Sequence, residues 1–533
     1  MMKTFAVLFA MVVAMGSANA AQYDVAEKDI ATLQADLTSG RVTSEQLVRA
    51  YLERIDKLDR NDPRLQSVIA TNPLAIDDAR ALDEERQTKG TRGPLHGIPI
   101  LVKDNIETSD PIPTTAGSLA LADNVTHRDS PAVAQLRAAG VIILGKTNLS
   151  EWANIRSSRS ISGWSAIGGL TKNPYVLDRS ACGSSSGSGS AVAASLAAAA
   201  LGTETDGSLV CPGSINGIVA LKPTVGLVSR THVIPISHSQ DTTGPMTRSV
   251  ADAALLLSVM AGSDKNDPAT VEADARRADY PAGITTAVLK GKRLGVIVPD
   301  PDSVPSETDA VFAQAVVALK AQGAEIVELR NLTPPPPDIG TIELTVLEFE
   351  LKHDLNAYFA SLPPGQKIKT LADTIAFNDA TPRETALFGQ DIFTKAQSLG
   401  DLTDPSYVKA RDDLKKFSRD TLDKLFTENH LDALIRSTDD ASFRIDIVKG
   451  DNDTSNSSFL PATAGYPHLT VPMGFVRGLP VGLSFIGPAW SETRLLALGH
   501  AFEQATHARK PPQFLPSLEA EPDTAKAFAP QAR

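Results

Sequence analysis

An α/β fold is predicted for this 533-residue chain by three features. Strand-like apolar runs alternate with amphipathic helical stretches through about residue 260, the pattern of an α/β core. Hydrophobic residues make up 42 % of the chain and charged residues 21 %, the balance of a protein able to bury a large core. The run Ile98-Pro-Ile-Leu-Val-Lys-Asp104 is apolar until its end, as a buried strand would be, and delivers Lys103 to its C-terminal end.

The N-terminus stands apart from this core. Lys3 precedes an apolar run from Phe5 to Met15, and Ala18-Asn19-Ala20 supplies small residues for cleavage, so residues 1–20 read as a secretory signal peptide cut before Ala21. The apolar run is too short to span a bilayer. The mature protein is therefore expected to be exported, periplasmic or secreted, with no membrane association after cleavage.

Ile30, Leu33 and Leu37 then mark one amphipathic helix, and Leu47, Tyr51, Ile55 and Leu58 a second behind a Thr43-x-x-Gln46 capping box. After the Lys103 strand, Pro131 opens a helix ending at Gly140, Val141–Leu144 forms a strand, and helix is expected again from Asn148. A further helix is expected from about Ser190 to Ala200. Residues 262–450 read as more helical and more charged, with an extended surface loop at Pro334–Pro337. Leu469–Met473 and Val481–Ile486 suggest a final strand pair joined by Arg477-Gly-Leu-Pro480. From Lys510 the composition turns Pro/Ala/Glu-rich, so the expected organisation is one domain over 21–510 and a loose tail at 511–533.

The formal net charge of −12 argues against nucleic acid or an anionic membrane as the main partner and fits small neutral or cationic substrates. The two cysteines and scattered histidines show no zinc-ligand spacing. Both cysteines, Cys182 and Cys211, fall in one Gly/Ser-rich segment, and spacing alone leaves a bridge and two buried thiols equally open.

Three motifs compete for the chemistry. Gly140-Val-Ile-Ile-Leu-Gly-Lys-Thr147 matches the phosphate-loop pattern formally, but its four intervening residues form an apolar strand whose N–H groups belong to a sheet, so Lys146 reads as structural. Gly183-Ser-Ser185-Ser-Gly187 matches the nucleophile elbow, yet Asp178-Arg-Ser-Ala-Cys182 before it has no strand character. The third reading joins two Ser clusters, at Ser184 and Ser208, through an intervening helix. Lys103 would be their base. An ordinary lysine is neutral in only on the order of one molecule in a thousand at pH 7, so that role requires desolvation to lower its pKa.

The segment from Gly183-Ser-Ser to Gly207-Ser208 resembles the amidase signature. The resemblance extends through His96–Asn105, Gly145-Lys-Thr-Asn-Leu-Ser-Glu-Trp152, Leu221-Lys-Pro-Thr224, Gly465–Pro472 and Gly478-Leu-Pro-Val-Gly482. Cys-Gly-Ser-Ser-Ser-Gly and Thr-Glu-Thr-Asp-Gly-Ser-x-Val-Cys-Pro are most similar to bacterial peptide amidases. The resemblance implies a single domain with a mixed sheet covered by helices on both faces, and a Ser-cisSer-Lys triad. In it Ser208 is the nucleophile, Ser184 the bridging serine after a cis peptide bond, and Lys103 the base. The N–H groups of Thr205, Asp206, Gly207 and Ser208 would form the oxyanion hole. No metal or organic cofactor is implied. The reaction would be hydrolysis of a carboxamide, as on C-terminal peptide amides, to carboxylate and ammonia. General amide or ester hydrolysis by the same triad, and a silent binding protein on the same fold, are the alternatives.

Two departures stand out. Where many relatives carry Gly-Gly-Ser-Ile-Arg, this chain has Asp206-Gly-Ser-Leu-Val210, which removes a cation and favours neutral substrates. Where relatives often read Ala-Pro-Thr, it has Leu434-Ile-Arg436-Ser-Thr438, placing Arg436 either in the cleft or on its rim.

Overall fold

The computed structural model describes residues 23–298, 304–330, 334–452 and 457–528; the expected signal peptide lies outside them. Its thirteen strands are β1 (Val68–Thr71), β2 (Pro99–Lys103), β3 (Ile142–Thr147), β4 (Trp164–Ser165), β5 (Gly169–Leu170), β6 (Ala199–Glu204), β7 (Val219–Lys222), β8 (Thr242–Thr247), β9 (Arg293–Ile297), β10 (Glu325–Leu329), β11 (Ala433–Ser437), β12 (His468–Val476) and β13 (Leu479–Ile486). All but β4 and β5 join one sheet in the order β1-β3-β2-β6-β8-β7-β12-β13-β11-β9-β10. The sheet is mixed: β2 runs parallel to β3 and β6, β9 runs parallel to β10 and β11, and the remaining pairs are antiparallel.

Every residue of β2, β3, β6, β7, β8 and β13 is buried. Because alternate side chains of a strand point to opposite faces, both faces of the sheet must be covered there. Helices do this work. Ala75–Thr88 packs on β3, Val250–Met260 on β8 and Glu492–Thr506 on β12. The first helix forms as expected over Ile30–Thr38; the second covers Ser44–Arg54, with both bonds of the Thr43/Gln46 capping box present, and gives way at Ile55–Arg60 to a π-helical turn that carries the expected Ile55 and Leu58. The last strand pair is a hairpin turning at Arg477 (φ 49°) and Gly478 (φ 80°), two consecutive left-handed residues whose twist suits a tight antiparallel connection.

The segment between Ser185 and Glu204 departs from expectation. Its helix covers Ser186–Ala193, and the chain turns through Ser195 (φ 55°) so that Ala199 onward becomes β6 instead of helix. Burial between β2 and β8 overrides the helix preference of alanine. Small residues make this layer unusually thin. A Cβ on Gly187 would lie 2.4 Å from the Ser67 carbonyl oxygen, and one on Gly202 would lie 2.6 Å from Leu209 and 2.8 Å from both Met246 and Ser185.

Three other expectations are corrected. No helix follows Asn148: a short 3-10 turn at Glu151–Asn154 contains Trp152 and Ala153 in left-handed conformation, with Trp152 packed edge-on against Phe359 and Phe393. Residues 262–450 are not simply helical, since they supply β9, β10 and β11 to the main sheet. The described residues after Lys510 are not a loose tail. The Phe514 and Leu515 N–H groups donate to the Pro174 and Tyr175 carbonyls, the Leu177 N–H donates to the Leu515 carbonyl, Tyr175 Oη donates to the Lys510 carbonyl, and a helix follows at Pro522–Phe528.

The long helices Ile339–Ser361 and Pro405–Glu428 pack together beside this sheet. Leu347, Leu351, Leu355 and Phe359 of the first build a separate apolar cluster with Trp152, Ile234 and Ile236. Among the described residues no helix is long and apolar enough to cross a membrane.

Candidate active site

Strand β2 ends at Lys103, whose side chain is fully buried beside the end of β6. Its Nζ donates to Ser184 Oγ at 2.8 Å, to Thr203 Oγ1 at 2.9 Å and to the Thr203 carbonyl at 3.2 Å. Thr203 Oγ1 is fixed in turn by Asn105 Nδ2 at 3.0 Å. Burial lowers the Lys103 pKa to about 7, against the opposing pull of Asp241 and Glu204. The lysine is therefore divided between its neutral and charged forms near neutral pH.

Ser184 follows a cis Gly183–Ser184 peptide bond. Its carbonyl accepts from the Ser150 N–H at 3.0 Å, and its hydroxyl is left to Lys103. The next residue ties the two Ser clusters together, because the Ser185 N–H donates to the Ser208 carbonyl at 3.1 Å. Ser185 itself is buried, with its Oγ donating to the Thr203 carbonyl at 3.0 Å, and so has a bracing contact. The elbow reading fails for the reason the sequence suggests: residues 178–182 carry only isolated bridges and no strand.

Ser208 lies on the turn after β6, 7 % exposed, its hydroxyl carrying no hydrogen bond among the described residues. Gly207 adopts φ 78°, a conformation costly to residues bearing a Cβ, and a Cβ there would stand 3.0 Å from Ser458 Oγ. The N–H groups of Gly207 and Ser208 donate no hydrogen bond among the described residues. Behind the turn, buried Glu204 accepts from the N–H groups of Leu209 at 2.7 Å and Val210 at 3.1 Å. Burial raises the Glu204 pKa while nearby Lys222 opposes this. Cys182 and Cys211 are joined in a disulfide, resolving the open choice and linking the two clusters covalently.

The other side of the turn is held by residues that no motif announced. Thr205 Oγ1 donates to Asp241 at 2.6 Å, and Asp241 also accepts from the N–H groups of Ile236 and Ser237. Gln240 Nε2 donates to the Thr205 carbonyl at 3.3 Å and to Glu343 at 2.9 Å. Burial, together with the adjacent Asp206 carboxylate to which it is hydrogen-bonded, pushes the Glu343 pKa well above the ordinary range. The Asp206 side chain thus engages Glu343 on the helix Ile339–Ser361. Thr203 opens the Thr-Glu-Thr-Asp-Gly-Ser stretch that the sequence singles out, whereas Gln240, Asp241 and Glu343 carry no such signal.

Lys146 ends β3 fully buried, its Nζ donating to Thr114 Oγ1 at 2.7 Å and to the Ile106 carbonyl at 2.5 Å, as a structural lysine would. Arg436 sits half-buried on β11 opposite Ser484; burial holds the His468 pKa well below its ordinary value, and the charges of Lys222 and then Arg436 add to this. A cleft of about 890 Å³ is lined in part by His238, His353 and Asp354, and Asp241 and Arg230 line both it and a small pocket against Asn105, Thr203 and Thr205.

In this mixed-sheet α/β fold, a buried lysine at a strand end that is hydrogen-bonded to a serine hydroxyl is suited to hydrolytic chemistry. A family model described as Amidase matches residues 46–496. The structure of native peptide amidase from Stenotrophomonas maltophilia is 48 % identical, with TM-score 0.87, covering 92 % of this chain and 99 % of that one. An amidase family protein from Bacillus anthracis is 35 % identical, with TM-score 0.83, covering 92 % and 93 %. A protein of Arabidopsis thaliana named "Probable amidase" is 40 % identical over 522 residues, 95 % of this chain and 96 % of its own. The chain belongs to the amidase family and is an amide-hydrolysing enzyme.

Proposed function

We propose that this enzyme hydrolyses primary carboxamides, in particular C-terminal peptide amides, through Ser208, Ser184 and Lys103. The carrying observation is the 2.8 Å contact from buried Lys103 to Ser184, one residue from the backbone bond that ties the Ser184 segment to Ser208. Likeness to the Stenotrophomonas peptide amidase supports the substrate class.

In this mechanism Ser208 Oγ attacks the carboxamide carbon while its proton passes to Ser184 Oγ and the Ser184 proton passes to neutral Lys103 Nζ. The carbonyl oxygen becomes an oxyanion facing the N–H groups of Thr205, Asp206, Gly207 and Ser208. Collapse breaks the C–N bond, and the proton returns through Ser184 to the leaving nitrogen, releasing ammonia and an acyl-enzyme on Ser208. Water then attacks the ester by the same relay, giving the carboxylate and restoring Ser208. Loss of one oxyanion donor in such sites typically costs about 3 to 4 kcal/mol of barrier.

Ammonia release from a panel of peptide amides, simple aliphatic and aryl amides, and esters tests the reading. Turnover of peptide amides above the simple amides is expected. Release from simple amides alone would reject the peptide preference while leaving the serine chemistry intact.

The signal-like residues 1–20 and the Cys182–Cys211 disulfide together support export to an oxidising compartment. Mature protein beginning at Ala21 in a periplasmic or secreted fraction is expected, whereas intact Met1 in the cytoplasmic fraction alone would reject export.

A further inference from the structure

His238 and His353 are 115 residues apart in sequence, so no spacing pattern could pair them, yet the fold brings both imidazoles onto one carboxylate. His238 Nδ1 lies 2.9 Å and 3.1 Å from the two Asp354 oxygens, and His353 Nδ1 lies 2.8 Å from Asp354 Oδ1. One donor atom from each residue falls within 4.8 Å of the others. We propose that His238, His353 and Asp354 form a binding site for a divalent transition-metal ion of the zinc type.

Four observations carry the proposal. First, two imidazoles and a carboxylate are the ligand set that zinc-type ions take, with a remaining position for water. Second, ligands placed at about 2.0–2.1 Å in a tetrahedron stand roughly 3.3 Å apart, so the observed nitrogen–oxygen spacing needs to open by only about half an ångström. Both rings are 43 % and 56 % exposed and can swing, while Asp354, at 11 %, is the fixed member. Third, the second nitrogen of His238 is already oriented: its Nε2 faces buried Glu350 Oε1 at 3.4 Å, the carboxylate support that metal-bound histidines commonly have. Glu350 is itself held by Tyr407 at 2.7 Å and by Ser237 and Ser239, each at 2.5 Å. Fourth, the nearest cation is neutralised, since Arg230 pairs with Asp267 while also donating to the His238 carbonyl.

The site's position gives it a consequence. His238 belongs to the same loop as Gln240 and Asp241, which hold Thr205. His353 and Asp354 belong to the helix that carries Glu343. An ion shared among them would clamp this loop to that helix at the rim of the 890 Å³ cleft. It takes no part in the serine chemistry proposed above, and metal binding can be read without activity.

The test uses tag-free mature enzyme, stripped with a chelator and held at pH 8, because Asp354 and Glu350 keep the His238 pKa above its ordinary value despite burial. Zinc is titrated by calorimetry, and cobalt(II) by its visible d–d absorption. One saturable equivalent per chain is expected with either ion, with magnesium and calcium failing to compete. His238→Ala and His353→Ala should each abolish the event while leaving the circular dichroism of the metal-free protein unchanged. No saturable equivalent in the native enzyme, or an undiminished one in the His238→Ala/His353→Ala double variant, would overturn the proposal and leave these residues as an ion-pair cluster.

Discussion

The pH dependence of turnover tests the role of Lys103 directly. A lysine base works only when neutral, and burial sets its pKa at about 7. The neutral fraction is then about one half at pH 7 and about one hundredth at pH 5, so kcat/KM should fall about fifty-fold between them and level off above pH 8. A solvent-exposed lysine would instead place the same limb near pH 10. The sign follows from the environment: desolvation penalises the ammonium, whereas Asp241 and Glu204 favour it. Asp241→Asn removes one favouring charge and should move the limb to lower pH. The assay is initial ammonia release from one peptide amide across pH 5–9 at constant ionic strength, with melting temperature recorded at each pH to exclude unfolding. Lys103→Ala should lose activity throughout this range. A flat native profile, or a Lys103→Ala variant that keeps the limb, would refute the assignment of Lys103 as the base.

Three further outcomes are expected. A fluorophosphonate should label Ser208, as read by peptide mapping, and Ser208→Ala should abolish the label; modification of Ser185 in the native enzyme would defeat the assignment of nucleophile. Gly207→Ala should reduce kcat strongly with the fold retained by circular dichroism, because alanine is disfavoured by roughly 1–2 kcal/mol at φ 78° and its methyl would press on Ser458 Oγ. Replacing both Cys182 and Cys211 by Ser should destabilise the enzyme by about 3–4 kcal/mol in denaturant titration, the loop-entropy value for cross-linked residues 29 apart; an unchanged midpoint would count against that account.

Legibility in the sequence followed the information each segment carries. The β2 run was readable because four buried apolar side chains end abruptly in Lys103, and the terminal hairpin because Arg477-Gly478 interrupts two β-rich runs. The Thr43 box was readable because capping is local. The Ala-rich stretch was misread because alanine has good helix propensity and no bulk to signal a strand; only its placement between β2 and β8 decides. Trp152 looked helical by its neighbours, yet its ring is claimed by Phe359 and Phe393, two hundred and more residues away, and the backbone bends to suit. Of the candidate site, Lys103, Ser184 and Ser208 were named by motif likeness, and the Lys103–Ser184 contact is present. Glu343 and Asp241 went unnoticed because an isolated acidic residue on a helix or loop looks the same whether it faces solvent or a serine turn.

The thin layer of Gly, Ala and Ser under the site also bears on how this enzyme can change. Gly187 and Gly202 touch neighbours so closely that added side-chain volume would collide with backbone or with Ser185. The floor of the site is thus closed to variation by size, whereas the wall built from the helix Ile339–Ser361 and the loop before β8 has exposed positions such as His238 and His353 that can vary without disturbing the serines. Substrate range in this lineage should therefore evolve from the wall inward, and libraries aimed at new amides belong there.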